Sequence, residues 1–268
     1  MRIIGEKING TLKHVKMAVE KKDALFIQKL AKSQEEAGAF WLDVNAGTLP
    51  ESEPEDLAWL VRVVQEVSDL PLSLDSTNAE ALKVAIKEAV RTPLINSISG
   101  EQDRIEGVLP IVRDHNCEVI VLAMDGDGIP ESVEDRYRVI ENIIKQTRKS
   151  GVSDDKLYID PLVTAISTIN DSGLIAFETM RKLRREFSDI HFTMGLSNIS
   201  FGLPERSVVN KTFLALSMAA GLDSAIMDPL DMGLMETLIT TELILGRDDY
   251  CQKYVKSFRA GLIGRARM

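Results

Sequence analysis

A chain of 268 residues, 44% hydrophobic and 27% charged, holds enough apolar material for one large core, and its length suits an α/β barrel of about 250 residues. A net charge of −9 and a pI near 5.0 exclude the basic field that nucleic acid or an anionic membrane would need. No apolar run approaches the ~20 residues of a bilayer span. The opening residues lack the apolar core of a secretory leader, and two cysteines, Cys117 and Cys251, are too few for a disulfide framework, so a cytoplasmic enzyme is expected.

In chain order, apolar runs alternate with stretches of helical period. The first run, 2–9, ends in Gly5-Glu6-Lys7-Ile8-Asn9 and precedes a helical pattern at 23–37. Run 40–45 ends in Asp43-Val44-Asn45 before helix 55–67, and run 72–76 ends in Asp75-Ser76 before helix 79–89. Run 92–97 ends in Asn96-Ser97 before helix 104–115, whose last residue is His115. Run 117–124 breaks the rule, ending in Met124 before an Asp125-Gly126-Asp127-Gly128 turn; helix 135–149 follows, opened by a capping box at Ser132. Run 157–161 ends in Asp160-Pro161 before helix 174–187, and run 191–198, beginning at His191, ends in Ser197-Asn198. Helix 208–220 is closed by Gly221, run 224–228 ends in Asp228, and helix 232–245 is the eighth. The tail 250–268, with Lys253, Lys256, Arg259, Arg265 and Arg267, reads as a solvated final helix with a frayed basic end.

Runs of 4–8 residues rich in Ile, Val and Leu fit parallel strands buried on both faces, and the intervening i, i+3, i+4 spacing fits amphipathic helices. Eight such units favour a closed (β/α)8 TIM barrel, although a doubly wound open sheet satisfies the same periodicity. No linker or low-complexity tract divides the chain, so residues 1–268 read as one domain.

The chemistry sits at the strand ends. One Asp at such an end is ordinarily the N-cap of the next helix, but seven ends of eight carry Asp, Asn or Glu, and in a barrel those ends converge on one mouth. None of the three histidines, His14, His115 and His191, falls at a strand's C-terminal end, so no metal site is expected; nor is there a glycine-rich phosphate loop. Lys7 alone could support Schiff-base chemistry. The remaining bowl of carboxylates and amides suits a neutral planar ligand with many N–H donors, such as a purine or a pterin, whose amino-pyrimidinone edge offers a carboxylate two parallel hydrogen bonds.

The motifs Ile4-Gly5-Glu6-Lys7-Ile8-Asn9-Gly10, Leu42-Asp43-Val44-Asn45-Ala46-Gly47, Leu74-Asp75-Ser76-Thr77-Asn78, Ile95-Asn96-Ser97, Tyr158-Ile159-Asp160-Pro161 and Gly195-Leu196-Ser197-Asn198 resemble, in order, the pterin-binding barrels. The closest likeness is to the methyltetrahydrofolate:corrinoid protein methyltransferases of anaerobic bacteria. More broadly the chain resembles the folate module of cobalamin-dependent methionine synthase and, more distantly, dihydropteroate synthase. The resemblance implies that Asp75, Asn96 and Asp160 hold the pterin ring, that Asn198 reaches N5, and that Gly195 and Ser197 shape the pocket. Arg206 falls near the mouth, and Lys211 stands where a close relative would carry Arg. It further implies tetrahydrofolate as substrate, a corrinoid (cobalamin) carried by a partner protein, a homodimer, and a role in one-carbon metabolism. Asp75 is then a candidate for polarising the N5 proton. Glu6, Asn9, Asp43 and Asn45 match positions that mainly order the mouth. Two alternatives stay open on the residues: a dihydropteroate synthase-like enzyme, and a pterin-binding subunit without turnover.

Overall fold

The computed structural model describes residues 1–264. Eight parallel strands, β1 (Arg2–Asn9), β2 (Trp41–Asn45), β3 (Leu72–Asp75), β4 (Leu94–Ile98), β5 (Glu118–Leu122), β6 (Leu157–Asp160), β7 (His191–Phe192) and β8 (Ser224–Met227), pair in the order β7-β6-β5-β4-β3-β2-β1-β8. The ring closes through a parallel bridge between Gly195 and Ile226, with Ile226 N–H donating to Met194 O at 2.9 Å. The fold is a (β/α)8 barrel, and the open sheet is set aside.

Helices α1 (Lys13–Glu20), α2 (Ala24–Glu36), α3 (Glu53–Gln65), α4 (Ala79–Ala85), α5 (Gln102–Asp114), α6 (Val133–Lys149), α7 (Ser172–Glu186), α8 (Arg206–Ala220), α9 (Met232–Ile244) and α10 (Gln252–Arg259) follow the strands. Their starts have chemical causes: Asp23, Asn78 and Ser132 accept from Phe26, Glu80 and Asp135 N–H at 3.2, 3.0 and 3.1 Å, and Asp231 from Gly233 and Leu234 N–H. Helix α8 ends at Gly221, whose φ of 118° is left-handed, as the sequence indicated. The basic tail forms α10 as far as Arg259, while Arg265 and Arg267 lie outside the described residues. No described helix is long and apolar enough to cross a membrane.

Two departures from expectation bear on function. The seventh strand was expected to run to 198, but the ladder stops at Phe192 and the chain bends at Gly195 into a 3-10 turn, Leu196–Ser200. Asn198 N–H donates back to Gly195 O at 3.2 Å, so Asn198 rides on a helical turn. The apolar pattern Met194-Leu196-Ile199 hides this, since all three are buried in either conformation. Helix α1 was also unforeseen; it buries Val15, Ala18 and Val19 but is only eight residues long, below the length at which helical period stands out.

The barrel is filled in layers by the two-residue period of its strands. Leu42, Val44, Leu74, Ile95, Val119 and Ile159 point outward into the large core beneath the helices. Their neighbours point inward, where Ile4, Trp41, Leu94, Ile120 and Tyr158 pack into a separate apolar floor. Trp41 and Tyr158 meet edge to face at 5.4 Å, and His191, at the start of its strand, stacks on Tyr158 while pairing with Asp223 at 3.1 Å. One step further along, the inward positions of four of these strands become polar, while β5 continues with Leu122.

Candidate active site

Two residues beyond Ile4 is Glu6, beyond Trp41 is Asp43, beyond Leu94 is Asn96 and beyond Tyr158 is Asp160. The alternation that makes the floor therefore lifts a ring of acids and amides directly above it. Glu6, Asp43, Asp75, Asn96, Gly195, Ser197, Asn198 and Arg206 line a cavity of ≈ 440 Å³ at the C-terminal end of the barrel. The size is that of a small-molecule site.

Backbone close approach shapes its rim. A Cβ on Gly10 would lie 2.0 Å from Ala46 O, and one on Gly47 2.4 Å from Gly10 C, so the chains leaving β1 and β2 touch where only glycine fits. Both glycines end motifs that mark the mouth in the sequence.

Inside the bowl the acids are buried and mostly held by neutral donors. Asp43 accepts from Ser73 Oγ at 2.6 Å and from Asn96 Nδ2 at 3.3 Å. Burial first, and the charge of Asp75 second, push its carboxyl well above the usual carboxylate range. Asp75 accepts from Asn45 Nδ2 at 3.0 Å; burial lifts it to about 6 against the pull of that bond. Asp160, 6% exposed at the wall of the mouth, accepts from Leu162 N–H at 2.7 Å and is pushed to about 7 by burial. Glu6 is raised to about 7 by burial and by Asp228, with Lys7 and Arg206 opposing. A bowl with several carboxyls poised near neutrality is acceptor-rich, and a ligand presenting N–H groups would draw those carboxyls into their ionised form.

The turn after β7 supplies the contrasting group. Asn198 is exposed at the cavity, and its side-chain amide makes no hydrogen bond within the described protein. A Cβ on Gly195 would come within 3.0 Å of Asn198 Nδ2, so the glycine gives that amide its seat. Arg206 braces the turn from α8, donating through Nη2 to Ser197 O at 2.7 Å and through Nε to Ser200 Oγ at 3.0 Å. Lys7 pairs with Asp228 at 2.9 Å.

The structure thus brings Asp75, Asn96, Gly195, Ser197, Asn198 and Arg206 into one cavity, with Asp160 set into its wall rather than on its lining surface. Lys211 is not brought there: on α8 the residue facing the mouth is its neighbour Asn210, and Lys211 lies about 100° further round the helix. Three contributors escaped the sequence reading. Ser73 is one step too early on β3. Arg104 donates to Ser76 O at 3.2 Å and Ser97 O at 2.5 Å, tying β3 to β4. Arg136, 1% exposed, donates to Pro130 O at 2.8 Å and Pro161 O at 2.7 Å, fixing the segment beside Asp160. Both arginines sit in ordinary amphipathic helix patterns, where nothing marks an arginine that turns inward.

An apolar floor of aromatic rings beneath a ring of acids and amides makes this one of the barrels that seat a flat, nitrogen-rich heterocycle. The chain belongs to the pterin-binding enzyme family, whose model matches residues 6–228. It is 42% identical over 266 residues to the methylcorrinoid:tetrahydrofolate methyltransferase of Eubacterium limosum, covering 98% of each chain. It is 30% identical over 237 residues to the methionine synthase of Mycobacterium tuberculosis, a match spanning 84% of this chain but 20% of that protein. Among solved structures, the dihydropteroate synthases of Yersinia pestis (with a pterin–sulfa conjugate) and Xanthomonas albilineans (with 7,8-dihydropteroate) superpose with TM-scores of 0.70 and 0.70. Each covers over nine-tenths of both chains, at 16% and 18% identity, a likeness of fold.

Proposed function

We propose that the protein is a methyltransferase that moves a methyl group between N5 of tetrahydrofolate and the cobalt of a corrinoid carried by a partner protein. The observation that carries this reading is the unpartnered Asn198 amide at the cavity of a chain 42% identical, end to end, to a methylcorrinoid:tetrahydrofolate methyltransferase. In the demethylating direction the electron pair of cobalt(I) forms the Co–C bond, the N5–C bond breaks, and its pair stays on N5, which takes up a proton. N5 is a poor leaving group unless a donor supports it. The Asn198 amide supplies that donor, gaining strength as charge gathers on N5; such a group is worth ~10²–10³ in rate. Asp160, Asn96 and Asp75 anchor the pterin, the carboxylates taking paired N–H donors, and Asp75, close to neutrality, is the group positioned to polarise the N5 proton.

Dihydropteroate synthesis expels diphosphate and needs free cations at the mouth. Here Lys7 is engaged by Asp228 and Arg206 by the turn after β7, which favours methyl transfer.

The protein acts as a single-domain homodimer in the reducing cytoplasm. An apolar groove of ≈ 410 Å³ between α7 and α8 carries Leu174, Val208 and Leu216, which are 63%, 57% and 52% exposed, and a second copy would cover them. Sedimentation of wild type and Leu174→Glu tests this; a monomeric wild type refutes it.

The reaction is tested by mixing the protein anaerobically with 5-methyltetrahydrofolate and cob(I)alamin and following cobalt absorbance. Protein-dependent formation of methylcob(III)alamin is expected. Failure to bind folate would overturn the reading.

A further inference from the structure

A second pocket of ≈ 280 Å³ adjoins the cavity, sharing Glu6, Ser197 and Arg206 with it, and lies between the turn after β7, the end of β8 and the first turns of α8 and α9. Its wall holds Asn210, 9% exposed, whose Oδ1 is buried without a partner and whose amide makes no hydrogen bond within the described protein. With Oδ1 sealed from the pocket, Nδ2 is the atom of Asn210 that reaches it, a donor left without a partner on a side chain that is otherwise buried.

The surroundings restrict that ligand. The loops after the seventh and eighth strands are where barrels commonly bind phosphate, but this pocket repels anions. Asp231 already takes the Gly233 and Leu234 N–H groups that open α9. Arg206 directs its donors at Ser197 and Ser200, and the carboxyls of Glu6, Asp228 and Asp231 face the space. The carboxylate tail of a folate is refused for the same reason. A cation is already supplied to Asp228 by Lys7. What fits is a neutral group that donates and accepts together. A primary carboxamide accepts from Asn210 Nδ2 through its oxygen and offers its two N–H groups to the carboxylate oxygens.

Corrin macrocycles carry such carboxamides around their rim, and this pocket adjoins the cavity that holds Asn198. Resting on the methyl-transfer reading above, we propose that the pocket around Asn210 is a subsite for a peripheral carboxamide of the corrinoid, orienting the cobalt over the pterin.

The test is steady-state methyl transfer from 5-methyltetrahydrofolate to cob(I)alamin and to the cobalt(I) heptamethyl ester of cobyrinic acid, in which esters replace the amides. Wild type, Asn210→Leu and Asn210→Asp are compared, with folate affinity and unfolding midpoint measured in each. Asn210→Leu should raise KM for cob(I)alamin at least about tenfold and leave KM for the ester and folate affinity within about twofold. Asn210→Asp, which keeps the side-chain shape but loses the donor, should lose at least as much. Equal loss with both corrinoids, no loss with either, or a parallel fall in folate affinity overturns the subsite while wild-type turnover still upholds the reaction. No wild-type turnover sinks both.

Discussion

Replacing Asp160 by Asn should stabilise the empty barrel while destroying its affinity for pterin. The carboxyl is buried, and the arginine beside it, Arg136, spends its donors on the backbone carbonyls of Pro130, Pro161 and Leu162. Burial therefore wins, and Asp160 moves from its ordinary 3.8 to about 7. Between those values the folded chain holds a proton that the unfolded chain has released. Stability from this group is complete below about pH 4 and is lost as pH rises to about 7. The loss spans about three tenfold steps at ~1.36 kcal/mol each, or ~4 kcal/mol at pH 8. Asparagine has the same shape, keeps an acceptor for Leu162 N–H and never ionises. Urea unfolding between pH 4 and 8 should show Asp160→Asn within ~1 kcal/mol of wild type at pH 4 and up to ~4 kcal/mol above it at pH 8. Pterin affinity at pH 8 should fall at least tenfold, because two charge-assisted bonds to N–H donors become one neutral pairing. Parallel stability curves, or unchanged pterin affinity, would show that the carboxyl is neither desolvated nor an anchor.

Asn198→Ala should lower single-turnover methyl transfer by ~10²–10³ and shift the unfolding midpoint little, since the exposed amide bonds to nothing among the described residues; wild-type rates would remove its proposed role. Gly195→Ala places a methyl 3.0 Å from Asn198 Nδ2. The side chain swings aside, so the rate should drop about tenfold or more with stability held within ~1 kcal/mol; a full rate would mean the seat of Asn198 is unimportant. Gly10→Ala meets backbone at 2.0 Å, Ala46 O, which cannot swing aside; urea unfolding should register a loss of ~2 kcal/mol or more, and an unshifted transition would contradict the close approach of the two strands' ends.

Much of the fold was legible because parallel strands and their covering helices differ so plainly in period. Each of the eight strands starts within about two residues of its expected position, and the polar residue that ends seven of the eight runs marks where the mouth lies. What eluded the sequence is geometry carried by one residue or by long side chains. Nothing in His191 to Asn198 says that hydrogen bonding passes from ladder to turn at Gly195, because both conformations bury the same apolar residues. Arg104 and Arg136 look like solvated helix positions, yet they fold inward to fix loops they neighbour only in space. Lys211 looks like a mouth residue because it adjoins one.

The same comparison explains why the site tolerates so many acids. Asp43 and Asp75 lie close enough for the charge of one to raise the other, and among the described residues neither has a cation in direct contact. In the empty barrel the arrangement is a strained one, held in part by retaining protons. A ligand rich in N–H groups supplies the hydrogen bonds that ionised carboxylates need, so binding should release protons near neutral pH and tighten as pH rises from 5.5 toward 8. The pterin edge is then selected by what the site lacks: further donors for acids that the fold has buried with only one or two neutral ones each. A ligand with acceptors at the same positions would meet carboxylates with nothing to offer, and a cation would find Lys7 and Arg206 already at the rim.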